Sequence, residues 1–199
     1  MNRELVERAR HGDHDAFAAL ATAVGDRMFT VARMILRDVD RAEDAVQEAL
    51  VRTWRELPTL RDPDRFEAWV RRLVVNACYD ESRKVRRRGE VTLLALDGSR
   101  AGGGWPSSER TAGDRTVDDR TVDDRDQLER GFRRLPVDQR AVLVLHHYVG
   151  LPLPEVAEAL GVPLGTAKSR LHYATRAMRA ALDADERGGV VPGRAGRTA

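Results

Sequence analysis

Leu153–Leu182 constrains the chain more than any other stretch, because apolar residues recur there at helical spacing on both sides of a glycine-bearing turn. Val156, Ala157 and Leu160 form the inner side of a first short helix that ends at Gly161. Val162-Pro163-Leu164-Gly165 then turns the chain, and Thr166 is the expected N-cap of a second helix. On a 3.6-residue wheel Ala167, Leu171, Ala174, Met178 and Leu182 gather on one side of it. Lys168, Ser169, His172, Tyr173, Arg176 and Arg179 gather on the other. No acid interrupts the helix between Thr166 and Ala181. This is helix-turn-helix spacing, in which the second helix enters the major groove of DNA. A solvated basic face on an ordinary helical hairpin has the same charge pattern. The combination of turn chemistry, an acid-free second helix and groove-compatible side chains favours DNA reading. Pro152 and Pro154 flank Leu153 and allow the first motif helix a late start.

A chain of 199 residues suits one large domain or two small ones. Aromatic residues make up only 5% and charged residues 33%, and strand-forming residues never alternate with polar ones over a useful length. An all-α fold of two small helical domains is therefore expected. The net charge is only +2, but it is unevenly spread. Residues 127–183 hold eight basic and five acidic side chains, whereas 91–126 hold five basic and eight acidic. Arg83-Lys84-Val85-Arg86-Arg87-Arg88 forms a second basic patch. The single cysteine, Cys78, excludes an intramolecular disulfide and any multi-cysteine zinc site, and reads as a small packing residue on a helix flank. The N-terminus has no apolar run of the signal-peptide kind, and no segment reaches membrane-spanning length, so a cytoplasmic protein without membrane insertion is expected.

The middle of the chain breaks this pattern. It is glycine-rich at Ala101–Gly104 and repeats Arg-Thr-Val-Asp-Asp at 115–119 and 120–124. Such a segment has no apolar face to bury and reads as a flexible linker. The expected organisation is an N-terminal helical domain over 1–92, a linker over 93–126, a helix-turn-helix domain over 127–183 and a disordered tail over 184–199.

Upstream of the linker, helices are expected near Glu4–Ala23, Arg27–Leu36, Arg41–Glu56 and Arg65–Arg87. The third turns Ala42, Ala45, Val46, Ala49, Leu50 and Trp54 inward and exposes Glu43, Asp44, Gln47 and Glu48. Acids early in a helix also complement its dipole, which is a sufficient structural role for them. The fourth has an apolar stripe of Phe66, Trp69, Val70, Leu73, Val74 and Ala77. Arg72, Asn76, Tyr79, Asp80, Arg83 and Arg87 line another side. Arginines, an amide and an aromatic together form a set that binds phosphates, reads base edges and stacks on unpaired bases. A solvated helix end accounts for the arginines equally well.

Three segments carry a family resemblance: Arg41–Trp54 with its Asp44-x-x-Gln47-Glu48 core, Phe66–Val70 followed by Asn76, Asp80 and Arg83, and Gly161–Leu171. In order and separation they resemble the extracytoplasmic-function group of bacterial RNA polymerase sigma factors. The resemblance implies that Asp44, Gln47 and Glu48 dock on the clamp helices of core RNA polymerase. It implies that the loop Leu57–Asp64, with Asp62, captures a flipped base of the −10 promoter element. Arg72, Asn76, Tyr79, Asp80, Arg83 and Arg87 would then hold the opened −10 DNA. Thr166, Lys168, Ser169, Arg170, His172 and Arg176 would meet the −35 element, Arg170 from the flank of the apolar stripe. Promoter DNA, core polymerase and an anti-sigma factor are the implied partners.

No catalytic set, metal-ligand spacing or cofactor loop stands against this reading. His146-His147 lacks any paired-acid context, and Gly102–Gly104 does not follow a strand and open a helix. No cofactor, metal site or catalytic residue is expected. The alternative is a stand-alone helix-turn-helix transcriptional regulator whose N-terminal bundle senses a ligand or dimerises, binding a palindromic site without polymerase. An enzyme with an appended DNA module would require turnover by residues 1–90 alone.

Overall fold

The computed structural model describes residues 3–92 and 128–188, and every regular element among them is helical. Four helices form a first group: α1 (Arg3–Arg10), α2 (His14–Leu36), α3 (Val39–Glu56) and α4 (Phe66–Thr92). Four form a second: α5 (residues 128–134), α6 (Val137–Leu143), α7 (Leu153–Leu160) and α8 (Leu164–Gly188). Two single 3-10 turns, Leu57–Thr59 and Pro63–Arg65, lead into α4. The expected linker over 93–126 lies outside the described residues. α8 runs on to Gly188, past the expected domain end at 183.

The first helical break falls at 11–13 rather than near Gly25, where it was expected. Gly12 adopts φ +91°, a conformation that favours glycine, and Asp13 then caps α2 by accepting a hydrogen bond from the Ala16 amide at 2.9 Å. Gly25 stays inside α2 because a glycine in a helix interior costs only about 1 kcal/mol relative to alanine. The stripe Leu20, Val24, Met28, Val31 and Ile35 is buried around it. Each such side chain contributes roughly 1.5–3 kcal/mol when fully buried, so packing outweighs propensity.

Asp38, three residues before the expected start of α3 at Arg41, is its N-cap and accepts from the Arg41 amide at 3.0 Å. Asp38→Ala is expected to lower unfolding stability by about 1 kcal/mol, read as a shift in urea midpoint with unchanged slope. α3 buries Ala42, Ala45, Ala49 and Thr53, while Val46 and Leu50 pack at the core margin. Trp54 is half-buried, held between the His14 ring at 4.6 Å and the Phe17 ring at 4.9 Å.

In the second group α6 continues as one π-helical turn, Val144–Tyr148, in which the Val149 amide reaches back to the Val144 carbonyl at 3.0 Å. His146 is tied by Nδ1 to the Leu151 carbonyl at 2.8 Å. α7 begins at Leu153 with Pro152 in the cap position, so the flanking prolines fit its first turn instead of delaying it. Gly131 in α5 lets α8 approach closely: a Cβ there would meet Ala181 Cβ and Met178 Sδ at 3.2 Å.

The two groups share one continuous apolar core. α4 packs on α6 and α7, and α2 packs on α6 and the π-helical turn. Across this seam Arg37, which ends α2 at φ 62°, pairs with Glu129 of α5, and their side chains are only 6% and 13% exposed. Burial pushes the Arg37 guanidinium down. It pushes that of Arg140, which also feels Arg37, down to about 10.

Candidate nucleic-acid interface

The outer face of α8 is set by how α8 is anchored. Ala167 and Ala174 are fully buried, and Leu171 and Met178 pack beside them on the core. Lys168, Ser169, His172, Tyr173, Arg176 and Arg179 are consequently all exposed, as the helical period predicts. The turn is built by Gly161, at φ 64°, and by the Pro163 carbonyl, which accepts from the Thr166 and Ala167 amides at 2.9 and 3.1 Å. Thr166 was the expected N-cap but lies inside the first turn of a helix that starts at Leu164. The reason is that the Pro163 carbonyl serves as first acceptor. The Thr166 carbonyl accepts from the Ser169 hydroxyl at 2.9 Å.

Arg170 separates from its neighbours. It is half-buried, and its Nε lies 3.2 Å from Asp138 Oδ2 of α6. It thus faces α6 and α4, not the same open surface as Lys168 and Arg176.

α4 carries the second cluster. Arg72, Arg83 and Arg87 are exposed, and Asn76 is half-buried. Tyr79, read from sequence as solvent-facing, is turned into the seam. Its hydroxyl is buried beside Arg170 and Asp138 without a well-formed hydrogen bond, and burial pushes the phenol up to about 12. A helix wheel puts Tyr79 on the outer side of its own domain, and that side is where the second group of helices docks. Trp69 is half-buried and tilted against Phe66, with ring centroids 6.3 Å apart, which fits the packing role expected for it.

Asp44, Gln47 and Glu48 share the exposed face of α3. Arg52 ties that face to α4: its Nε donates to Glu48 Oε1 at 2.8 Å and its Nη2 to Asp80 Oδ2 at 3.1 Å. The Glu48 and Asp80 contacts raise the Arg52 pKa. Asp80 also faces Arg83, with 3.6 Å between Oδ1 and Nη1. Sequence reading missed Arg52, although its i, i+4 spacing from Glu48 signalled half of this bridge.

The loop before α4 is pinned by buried Leu57, Leu60 and Pro63. Asp62 is exposed, and its Oδ1 accepts from the Asp64 amide at 3.0 Å, so part of its polar capacity serves as a 3-10 cap. Beneath the loop lies a cavity of about 570 Å³ lined by Arg61, Asp62, Arg65, Trp69 and Arg72 on one side and by Glu155 and Glu158 of α7 on the other. The acids of α7 were not singled out from sequence, since Arg65 and Glu158 are 93 positions apart and share no local pattern. Among the described residues no cluster of histidine, cysteine or acids has metal-binding geometry, and no helix is long and apolar enough to cross a membrane.

Residues 20–88 match Sigma-70 region 2, and residues 125–178 match Sigma-70, region 4. Over 172 residues the chain is 34% identical to the ECF RNA polymerase sigma factor SigL of Mycobacterium tuberculosis, covering 84% of this chain and 91% of that one. Over 186 residues it is 28% identical to the ECF RNA polymerase sigma factor SigW of Bacillus subtilis, covering 92% and 97%. Among solved structures it resembles CnrH in complex with the cytosolic domain of CnrY, with a TM-score of 0.59, 26% identity, and coverage of 92% of this chain and 97% of that one.

Proposed function

Because the chain belongs to the extracytoplasmic-function group of RNA polymerase sigma factors, we propose that its two helical groups divide promoter recognition between them. Such a factor directs core polymerase to promoters and is not itself an enzyme; the chemistry of RNA synthesis belongs to the polymerase. Residues 1–92 form the unit that binds core and the −10 element, and residues 127–183 the unit that reads the −35 element. Residues 93–126 connect them and 184–199 form the tail. The compartment is the cytoplasm, where polymerase and promoter DNA are.

The observation that carries this reading is the open face of α8, acid-free from Thr166 to Ala181, on a chain that also presents Asp44, Gln47 and Glu48 on α3. Lys168, Ser169, His172 and Arg176 lie against the major groove, with Thr166 at the entry of the helix and Arg170 on its flank. On the downstream side Arg72, Arg83 and Arg87 hold phosphates, Asn76 and Asp80 meet bases, and Asp62 sits in the capturing loop. Tyr79 supplies an aromatic surface for an unpaired base, worth roughly 1–3 kcal/mol per stacked base. CnrH is bound to the cytosolic domain of a second protein, which supports an anti-sigma partner for this chain as well.

Run-off transcription with purified core polymerase and sheared genomic DNA, with and without the chain, tests the function. New 5′ ends preceded by two elements at fixed spacing are expected. Footprints by the chain alone, with no new starts, favour the stand-alone regulator. With a promoter in hand, Arg176→Ala is expected to weaken binding to all sequences alike. It should flatten the slope of log affinity against log salt by about 0.9, the contribution of one phosphate contact. A change of base preference at one position with an unchanged slope contradicts the phosphate role.

A further inference from the structure

Arg52 stands between the two faces given above to different partners, core polymerase on α3 and −10 DNA on α4. Its Nε donates to Glu48 Oε1, one turn earlier on α3, at 2.8 Å. Its Nη2 crosses to Asp80 Oδ2 on α4 at 3.1 Å. Arg83 also faces Asp80, but the 3.6 Å between its Nη1 and Oδ1 is too long for a hydrogen bond, and its side chain is 71% exposed. Among the described residues Arg52 is therefore the one hydrogen-bond donor to the Asp80 carboxylate.

The packing of α3 on α4 does not depend on this bridge. α3 buries Ala42, Ala45 and Ala49, and α4 buries Val70, Val74 and Ala77, in one apolar core. A single ion pair whose side chains are 31% and 37% exposed adds little to that. What the bridge fixes is the carboxylate. An acid that accepts a hydrogen bond from a base must do so among phosphates that repel it. A guanidinium held against it offsets the repulsion. By occupying Oδ2, Arg52 also leaves the lone pairs of Oδ1 to a base.

We propose that Arg52 is a positioning residue for −10 recognition: held by Glu48, it fixes the Asp80 carboxylate as an acceptor for one base of the opened strand, and touches neither DNA nor core polymerase itself. The inference rests on the sigma-factor reading and on the base contact given to Asp80. An arginine suits the task because its planar fork meets two carboxylates at once in fixed geometry.

The test uses holoenzyme assembled from core polymerase and a saturating amount of the full chain. Run-off transcription is measured on a promoter mapped as above and on templates in which each −10 base pair is replaced in turn. Asp80→Asn marks the position that Asp80 reads, as a loss of preference there of about tenfold. Arg52→Ala and Arg52→Gln are each expected to lose preference at that same position by about fivefold or more, with the other positions unchanged. A bridge that merely joined α3 to α4 would instead lower the melting temperature and the output on all templates alike. Combining Arg52→Ala with Asp80→Asn is expected to cost no more preference than Asp80→Asn alone, since the two act as one unit. If Asp80→Asn marks a position, then unchanged preference in both Arg52 variants, a uniform loss, a loss at another position or additive losses each overturn the proposal. Unchanged preference in Asp80→Asn overturns the base contact of Asp80 and this inference with it. A parent chain that directs no discrete starts overturns the sigma-factor reading itself.

Discussion

Leu145→Ala is expected to lower unfolding stability by about 2–5 kcal/mol, the range for removing a buried leucine and leaving a cavity. Leu145 is 0% exposed and sits in the π-helical turn that packs on α2. A π-helical turn is a poor place for relaxation to refill the void, since its wider backbone ring is already held by the Val149–Val144 and Leu151–Leu145 hydrogen bonds, both 3.0 Å. At roughly 2–4 °C per kcal/mol for a chain of this size, the melting temperature followed by circular dichroism should fall by about 10 °C. The shared core also predicts that both helical groups melt together in the wild-type chain. A variant in which the second group melts first, while the first keeps its midpoint, would mean that the seam is not part of the cooperative unit.

Reversing charge on α3, with Asp44→Arg and Glu48→Arg, is expected to weaken assembly with core polymerase by roughly 10- to 100-fold, because like charges set against each other at an interface cost several kcal/mol. Both side chains are exposed, so the fold should survive with its helical content unchanged. Glu48 is also one end of the Arg52 bridge to Asp80, and the variant tests that link. Competition for core against a reference sigma factor measures the loss. Arg52→Ala, which leaves Asp44 and Gln47 in place, serves as the control. A deficit of equal size in Arg52→Ala would assign the effect to the bridge and not to the α3 face. Retained competition by the doubly reversed chain would remove Asp44 and Glu48 from the polymerase contact.

Much of the molecule was legible locally. The apolar stripes of α3, α4 and α8, the glycine end of α7 and the exposure of Lys168, His172 and Arg176 follow from a 3.6-residue period and turn chemistry, which act within a few residues. Local signals also explain the errors. Gly12 and Asp13 carry a stronger stop-and-start signal than Gly25, and the Pro163 carbonyl displaces Thr166 as the start of α8. Both rest on hydrogen bonds that sequence identity alone does not assign.

What the sequence determined by itself was the all-helical class, the two groups of elements, the family, and which side of each helix carries charge. What only the tertiary structure decided is how those sides face one another. Tyr79 and Arg170 are 91 positions apart, yet they meet in one seam, and Arg65 finds Glu158 across a similar separation. Helical periodicity states which residues share a face, but it holds no information about the partner of that face. That choice is made by the docking of α2 and α4 on α6 and α7, where continuous apolar burial outweighs the open surface each group would otherwise keep.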